Sequence, residues 1–250
     1  MPAAEGMAGL AKGLAILELF GEATPKLAIS DAARLTGLNR AVARRCLLTL
    51  VDLGYLTHDG KHFLPTPRLL RLGDAYVEST ALPQLAQPHL AAVREHVQES
   101  ASLAVLQNDE ALFIARSEVK RIVNTGVRIG ASVPAYTSAT GHVLLSALST
   151  EDLTAYLERT EFHPRTPKTP VTAAEIRRRV DLVRADGAAF TDEELEYGLR
   201  SLGVPVLDSR GRTVAAMSVS ATAGRISMAQ LRDEFLPVLR DQAEQLGRKL

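Results

Sequence analysis

Between residues 30 and 64 the chain places a short helix, a glycine turn, a second helix and a hairpin in one unbroken run, and few folds accept that order. Ser30 stands where an N-cap belongs, ahead of Asp31-Ala32-Ala33-Arg34-Leu35, and Gly37 ends the helix as a left-handed glycine would. A second helix follows at once, Asn39 to Leu53, with Gly54 as its stop. Two helices joined by a short turn that contains glycine form a helix-turn-helix. Next, Tyr55 to Leu64 holds Asp59-Gly60 between two β-prone runs, the strongest short-range hairpin signal. A hairpin directly behind the second helix makes a wing. Upstream, Leu10, Leu14, Leu17 and Phe20 form an apolar stripe on a helix over 10–20. Downstream, Pro65-Thr66-Pro67 closes the hairpin, and Arg68 to Ser79 reads as a linker helix with Leu69, Leu72, Tyr76 and Val77 on one side.

On a helical wheel Val42, Cys46, Leu50 and Leu53 of the second helix share the side expected to face the core. Arg40 and Arg44 lie one turn apart on the opposite side, with Arg45 on the flank. A recognition helix needs that division, because it must pack on its neighbour while presenting donors to bases and phosphates. The candidate DNA-binding residues are therefore Asn39, Arg40, Arg44 and Arg45, with Lys61 and His62 of the wing reaching phosphate or a minor groove. From Arg34 to Arg71 seven Lys and Arg face only Asp52 and Asp59, although the whole chain has a formal charge of zero. The overall balance argues for no polyanionic partner, but charge on one face is what matters for nucleic acid. The competing reading makes the arginines a solvated helix face. The short turn and the wing favour DNA.

A chain of 250 residues holds one large domain or two modest ones. Texture changes near residue 80, where Ala81-Leu82-Pro83 marks a junction, so the expected division is 8–66, a linker over 67–82, and 83–250. The lone cysteine, Cys46, excludes an intramolecular disulfide and a cysteine-based zinc site; it fits a reducing cytoplasm and reads as a packed thiol. Met1 to Lys12 lacks a secretory pattern, and no apolar run approaches the roughly 20 residues of a membrane helix. The expectation is a soluble, cytoplasmic protein without a membrane partner. After residue 80, a helix over 83–97 precedes strand-like runs at 102–107, 111–116 and 121–127, then helices over 138–148 and 151–159. Thr172 with Glu175, Thr191 with Glu194, and Ser227 with Gln230 have capping-box spacing. The first and third open helices over 172–187 and 227–247. Leu202–Leu207 and Thr213–Ser220 flank Asp208-Ser209-Arg210-Gly211 as a second hairpin. The class is α+β, with an antiparallel sheet.

Three stretches carry a family resemblance: Lys12-Gly13-Leu14-Ala15-Ile16-Leu17-Glu18, the run from Thr36-Gly37-Leu38-Asn39-Arg40 to Leu53-Gly54-Tyr55, and Asp192-Glu193-Glu194-Leu195-Glu196-Tyr197-Gly198-Leu199-Arg200-Ser201. Val204-Pro205-Val206 and Met217-Ser218-Val219-Ser220 extend the last. The chain resembles the IclR family of bacterial regulators from about Leu10 to Leu246. The second stretch is similar to the PcaR, PcaU and PobR subgroup, which governs breakdown of aromatic acids. The resemblance implies a double-stranded DNA operator, homodimers or tetramers, and a GAF-like effector domain with a pocket between sheet and helices. It places Ile122, Thr125, Val133, Ala139, Thr140, Thr191, Ser201, Ser218 and Ser220 in that pocket, with no cofactor and no metal. Thr191, Ser201, Ser218 and Ser220, with the amides that open the Ser138 helix, suit a carboxylate, because a helix N-terminus offers free donors and partial positive charge. Ile122 and Val133 would cover the ligand's body. Alternatively, Ser218 and Ser220 merely alternate along a strand that faces water. The chain departs from the subgroup over Pro134-Ala135-Tyr136-Thr137-Ser138-Ala139-Thr140-Gly141-His142: Tyr136 stands for a histidine and His142 for an arginine. This segment is expected to shape the pocket, so effector identity does not carry over.

Two rival classes remain. An enzyme would use Ser138 and His142, four apart on a helix, as nucleophile and base, but no acidic residue nearby orients the histidine. His58, His62, His89, His96 and His163 lack metal-ligand spacing. An interaction module would turn the winged domain toward protein, and the salt dependence of phosphate contacts separates that case. The reading is a DNA-binding regulator that senses a small organic acid, and not an enzyme.

Overall fold

The computed structural model describes residues 6–21, 23–119 and 127–250, with only the backbone of Val77. The strand expected over 121–127 lies almost wholly outside the described residues. The chain divides into two compact units, the first ending at Tyr76 and the second beginning at Val77.

The first unit holds α1 (Ala8–Leu17), α2 (Ile29–Thr36), α3 (Arg40–Asp52), β1 (Leu56–His58) and β2 (Phe63–Pro65). A single 3-10 turn, Pro67–Leu69, then leads into α4 (Leu70–Ser79). β1 and β2 pair antiparallel, with His58 opposite Phe63. Gly37 adopts the left-handed conformation, φ 68°, which lets α3 start within two residues. Three expectations need correction. α1 stops at Leu17 rather than Phe20, because Leu19 N–H bonds Ile16 and Phe20 N–H bonds Leu17, so the last turn tightens. Ser30 is not the cap of α2: the helix starts at Ile29 behind Ala28, which makes no side-chain cap bond. Leu27 exchanges backbone hydrogen bonds with Phe63 at 3.0 and 2.8 Å, and this bridge to the wing sets where α2 can begin.

The third correction concerns which faces are buried. The core comprises Ile16, Leu27, Ala32, Ala43, Leu47, Leu50, Leu56 and Phe63. α3 thus buries Ala43, Leu47 and Leu50, about one position round from the expected side. Leu10, Leu14 and Leu53 stay exposed, and Val42 and Cys46 are only half-buried. The apolar stripes expected to enter the core instead face each other across an open groove of about 730 Å³ between α1 and α3.

The second unit begins with α5 (Ala81–Val97), β3 (Ser100–Gln107), β4 (Glu110–Ser117) and β5 (Ser132–Pro134). A 3-10 turn, Ala135–Thr137, precedes α6 (Ala139–Ser146), α7 (Thr150–Arg159) and α8 (Ala173–Asp186). Then come β6 (Ala189–Asp192), β7 (Leu199–Leu207), β8 (Thr213–Thr222), α9 (Met228–Gln230) and α10 (Leu236–Gly247), the last two joined by a π-helical turn, Leu231–Phe235. The six-stranded sheet runs β5-β4-β3-β8-β7-β6, and each neighbouring pair is antiparallel. Helices α5 and α10 cover one face over Leu90, Val93, Leu103, Leu202, Val204, Met217, Val219 and Leu239. Helix α6 covers the other over Ala104, Phe113, Val133, Val143 and Ala216. The expected capping boxes at Thr172 and Ser227 close in both directions. The one at Thr191 does not exist: Thr191 lies in β6, where its spacing to Glu194 has no helical meaning.

Candidate functional site

On the first unit, Asn39 caps α3, its Oδ1 accepting from Val42 N–H at 2.9 Å. Arg40 and Arg44 are exposed one turn apart, and among the described residues neither has an ion-pair partner. Arg45 is also exposed but borders the α1–α3 groove, which separates it from the other two. In the wing, the Asp59 carboxylate accepts from the backbone N–H groups of His62 at 2.6 Å and Lys61 at 2.9 Å. Those bonds, first from His62 and then from Lys61, hold the Asp59 carboxyl below its ordinary range. They shape the loop so that Lys61 stands exposed while the His62 ring is half-covered, 3.8 Å from Asp59. Of the other basic residues counted in the sequence, Arg34 lies 3.8 Å from Asp31, and Arg68 stacks 5.1 Å over the Tyr55 ring. Free positive charge is thus presented by Arg40, Arg44 and Arg45 on α3, by Lys61 at the wing tip and by Arg71 on α4.

The second unit holds a cavity of about 290 Å³ between α6 and the sheet. Its floor follows from strand alternation, because side chains two apart share a face. Leu202, Val204, Met217 and Val219 point to the α5–α10 side. Ser201, Ser218 and Ser220 therefore face α6 and line the cavity, so they do not simply meet water. Pairing puts Thr191 beside Ser201, Ser201 beside Ser220, and Ser220 beside Ser100 in one row. The Ser201 and Ser220 hydroxyls lie 3.0 Å apart. The next row runs Gly203, Ser218, Ser102, Arg116. Arg116 is 7% exposed, and its guanidinium donates to Ser102 Oγ at 2.9 Å and to Glu118 at 2.7 Å. A cation thus stands behind the hydroxyl floor.

Helix α6 reaches this floor because two glycines let backbones touch. A Cβ on Gly203 would sit 3.0 Å from the Ala139 carbonyl, and one on Gly141 would lie 1.9 Å from the Ala135 carbonyl. Ser138 caps α6 by accepting from Gly141 N–H at 3.1 Å, and its hydroxyl lies 3.2 Å from that of Thr140. The mouth is assembled by two loops. Thr166 Oγ1 donates to the Glu193 carbonyl and Thr169 Oγ1 to the Glu194 carbonyl, each at 2.6 Å, and Lys168 Nζ bonds Asp192 and Glu193 at 2.9 Å. These bonds bring Arg165, Leu195 and Glu196 to the cavity.

Of the residues the resemblance placed in a pocket, the structure gathers Val133, Ala139, Thr140, Ser201, Ser218 and Ser220. Thr191 is buried one strand away, in the row of Ser201. Ile122 and Thr125 lie outside the described residues. Phe113, Val127, Ser138, Arg165, Leu195, Glu196 and Leu199 also line it. Apart from Ser138, whose helix was expected at the pocket, sequence reasoning did not place them there; the arginine within the apolar run 111–117 could also have flagged Arg116 behind the floor. Neither departure from the subgroup lines the cavity. Tyr136 packs edge-on against Phe162, its hydroxyl accepting from His163 N–H at 2.9 Å. His142 is buried with Nε2 bonded to the Tyr136 carbonyl at 2.9 Å, so it makes no pair with Ser138. Burial, first among the causes, holds the His142 pKa down to about 4. Among the described residues no cluster of His, Cys, Asp and Glu is placed to hold a metal, and no helix is long and apolar enough to cross a membrane.

Residues 9–60 match the IclR helix-turn-helix domain, and residues 74–248 match the C-terminal domain of the bacterial transcriptional regulator IclR. The chain is 39% identical over 245 residues to the Pca regulon regulatory protein of Pseudomonas putida, covering 96% of this chain and 84% of that one. Among solved structures it is similar to a transcriptional regulator of Rhodococcus sp. RHA1, with a TM-score of 0.83, 40% identity and 97% of both chains covered. It is also similar to the inducer binding domain of the PobR transcription factor from Acinetobacter, a double mutant in complex with 3-hydroxybenzoic acid. There the TM-score is 0.65 and the identity 31%, over 68% of this chain and 99% of that domain. With a DNA-binding head and a C-terminal domain both matched, the chain belongs to the IclR family of bacterial transcription regulators, which are DNA-binding proteins rather than enzymes.

Proposed function

We propose that this regulator senses a small organic acid of one-ring size, a hydroxybenzoate or close relative, in the cavity beneath α6. The observation that carries the reading is the hydroxyl floor, where Ser201, Ser218 and Ser220 meet the N-terminal end of α6. Hydroxyls and helix-terminal amides suit a carboxylate. Phe113, Val127, Val133, Leu195 and Leu199 give a ring its apolar walls, to which the resemblance adds Ile122, with Thr125 as a further lining residue. At about 290 Å³ the cavity lies at the small end of ligand pockets, which favours one ring over a sugar oligomer. The 3-hydroxybenzoic acid bound by the Acinetobacter domain supports the same class.

The DNA-reading set is Asn39, Arg40, Arg44, Arg45, Lys61 and His62, acting on a double-stranded operator in the cytoplasm. Residues 8–66 serve as the DNA-binding domain, 67–82 as the linker and 83–250 as the sensor. The protein works as a homodimer or tetramer, a reading supported by the apolar α1–α3 groove left open on one chain. An effector regulates only by binding one arrangement of the DNA-binding domains better than another. Thermal denaturation of the purified protein with benzoate, hydroxybenzoates and short keto acids tests the sensing half. A ligand at about 100 times its Kd should raise the transition by roughly 5–10 °C. If no carboxylate moves the transition, the sensing half is withdrawn.

A further inference from the structure

The cavity's two polar ends differ in kind. One end is set by the row Gly203, Ser218, Ser102, Arg116, against which the N-terminal end of α6 packs. Four residues back along β7 lies Leu199, also a lining residue, whose N–H bonds the Glu196 carbonyl. Strand rise separates those levels by roughly 13 Å. Glu196 therefore belongs to the end away from α6, and Arg165 is held beside it because its backbone N–H bonds Thr169 Oγ1, which bonds the Glu194 carbonyl; both residues line the mouth and both are exposed. Among the described residues neither side chain has a hydrogen-bond or ion-pair partner, and no ion pair joins them to each other. The neighbouring acids are already engaged: Asp192 by Arg200 and Lys168, Glu193 by Lys168 and Gly198 N–H, and Glu194 by Arg179. An acceptor and a donor facing one cavity, and not spent on each other, fit a ligand group that donates and accepts at once.

We propose that Glu196, with Arg165, is the specificity pair of the cavity, reading a hydroxyl at the end of the effector opposite its carboxylate. The proposal rests on the reading of this cavity as an acid-binding site and narrows it to hydroxy acids. The hydroxyl donates a hydrogen bond to the Glu196 carboxylate, and its oxygen accepts one from Arg165. Benzoate carries no such group, so it leaves both charges unanswered. A benzene-1,4-dicarboxylate puts a second anion beside Glu196 and is repelled, which makes this residue a filter as well as a contact.

The test uses the full chain and its Glu196→Gln variant, titrated calorimetrically with benzoate, 4-hydroxybenzoate and benzene-1,4-dicarboxylate. The side chain is exposed and unpartnered, so the substitution leaves packing alone. The unaltered protein should bind 4-hydroxybenzoate roughly 10- to 100-fold tighter than benzoate, the range of a hydrogen bond to a charged group. Glu196→Gln should shrink that preference to about threefold and bind the dicarboxylate at least about tenfold tighter than the parent does. A gain for the dicarboxylate is a change that general loosening of the loop cannot produce. If the variant keeps the parent's preference, or gains nothing for the dicarboxylate, the assignment of Glu196 is overturned while the cavity remains an acid site. If none of the three acids binds the unaltered protein, the acid-binding reading falls, and this assignment falls with it.

Discussion

Beside the cavity lies a buried pair of titratable side chains that pull in opposite directions. Glu194 is 3% exposed, with one carboxylate oxygen 2.6 Å from Arg179 and the other without a partner among the described residues. Burial pushes its carboxyl from 4.5 up to about 7, against the pull of Arg179. His142 is held down from 6.5 to about 4 by burial, against its bond to the Tyr136 carbonyl and with help from Arg179. Folded Glu194 keeps a proton that the unfolded chain releases, so its contribution falls as pH rises from about 4.5 to 7. Folded His142 refuses a proton that the unfolded chain takes up, so its contribution falls as pH drops from 6.5 to about 4. Between 4.5 and 6.5 the two oppose each other, each by at most about 1.4 kcal/mol per pH unit. Urea unfolding across that window should therefore give a rising stability in Glu194→Gln, a falling one in His142→Gln, and a flatter course in the parent. Three parallel curves would count against it.

Local chemistry made most elements readable in the sequence. Gly37, Asn39, Ser138, Thr172 and Ser227 each end or start a helix through bonds within a few residues, and each does so where expected. What the sequence did not disclose depends on distant partners. The start of α2 is set by Leu27 pairing with Phe63, and the buried face of α3 by where α2 and the wing lie, so neither periodicity nor a serine settled them. The spacing of Thr191 and Glu194 imitates a helix start inside a strand, because capping-box spacing carries no knowledge of sheet pairing. About half of the cavity was legible, through the family resemblance rather than from strand alternation, at Val133, Ala139, Thr140, Ser201, Ser218 and Ser220. Arg165 and Glu196 were not, since loops far apart in sequence are tied by Thr166 and Thr169. The tightest element contact is the crossing of α6 over Ala135. Gly141→Ala would drive a methyl into a backbone carbonyl that no rotamer can move. It should cost at least about 3 kcal/mol, at the upper end of overpacking effects. A urea midpoint within error of the parent would contradict the close approach.

For the whole molecule, zero formal charge means that the salt dependence of DNA binding reports a local patch rather than a general attraction. With an operator recovered by in vitro selection, log affinity should fall linearly with log salt. Arg44→Ala should weaken specific binding by about 1–3 kcal/mol with relaxed sequence preference if it reads a base. It should instead lower the salt slope by about 0.9 if it holds a phosphate. No change in either quantity removes Arg44 from the interface. The order of strands in the sensor has a further effect during synthesis. β3, the first strand made, takes its central neighbour from β8, the last, with Ser100 pairing to Ser220. The sheet therefore cannot close until nearly the whole polypeptide has left the ribosome, while the head, built from neighbours in sequence, is ready long before. Any chain cut short ahead of Thr213 would carry a finished head on a sensor whose sheet lacks the strand that joins its two halves, since β8 lies between β3 and β7.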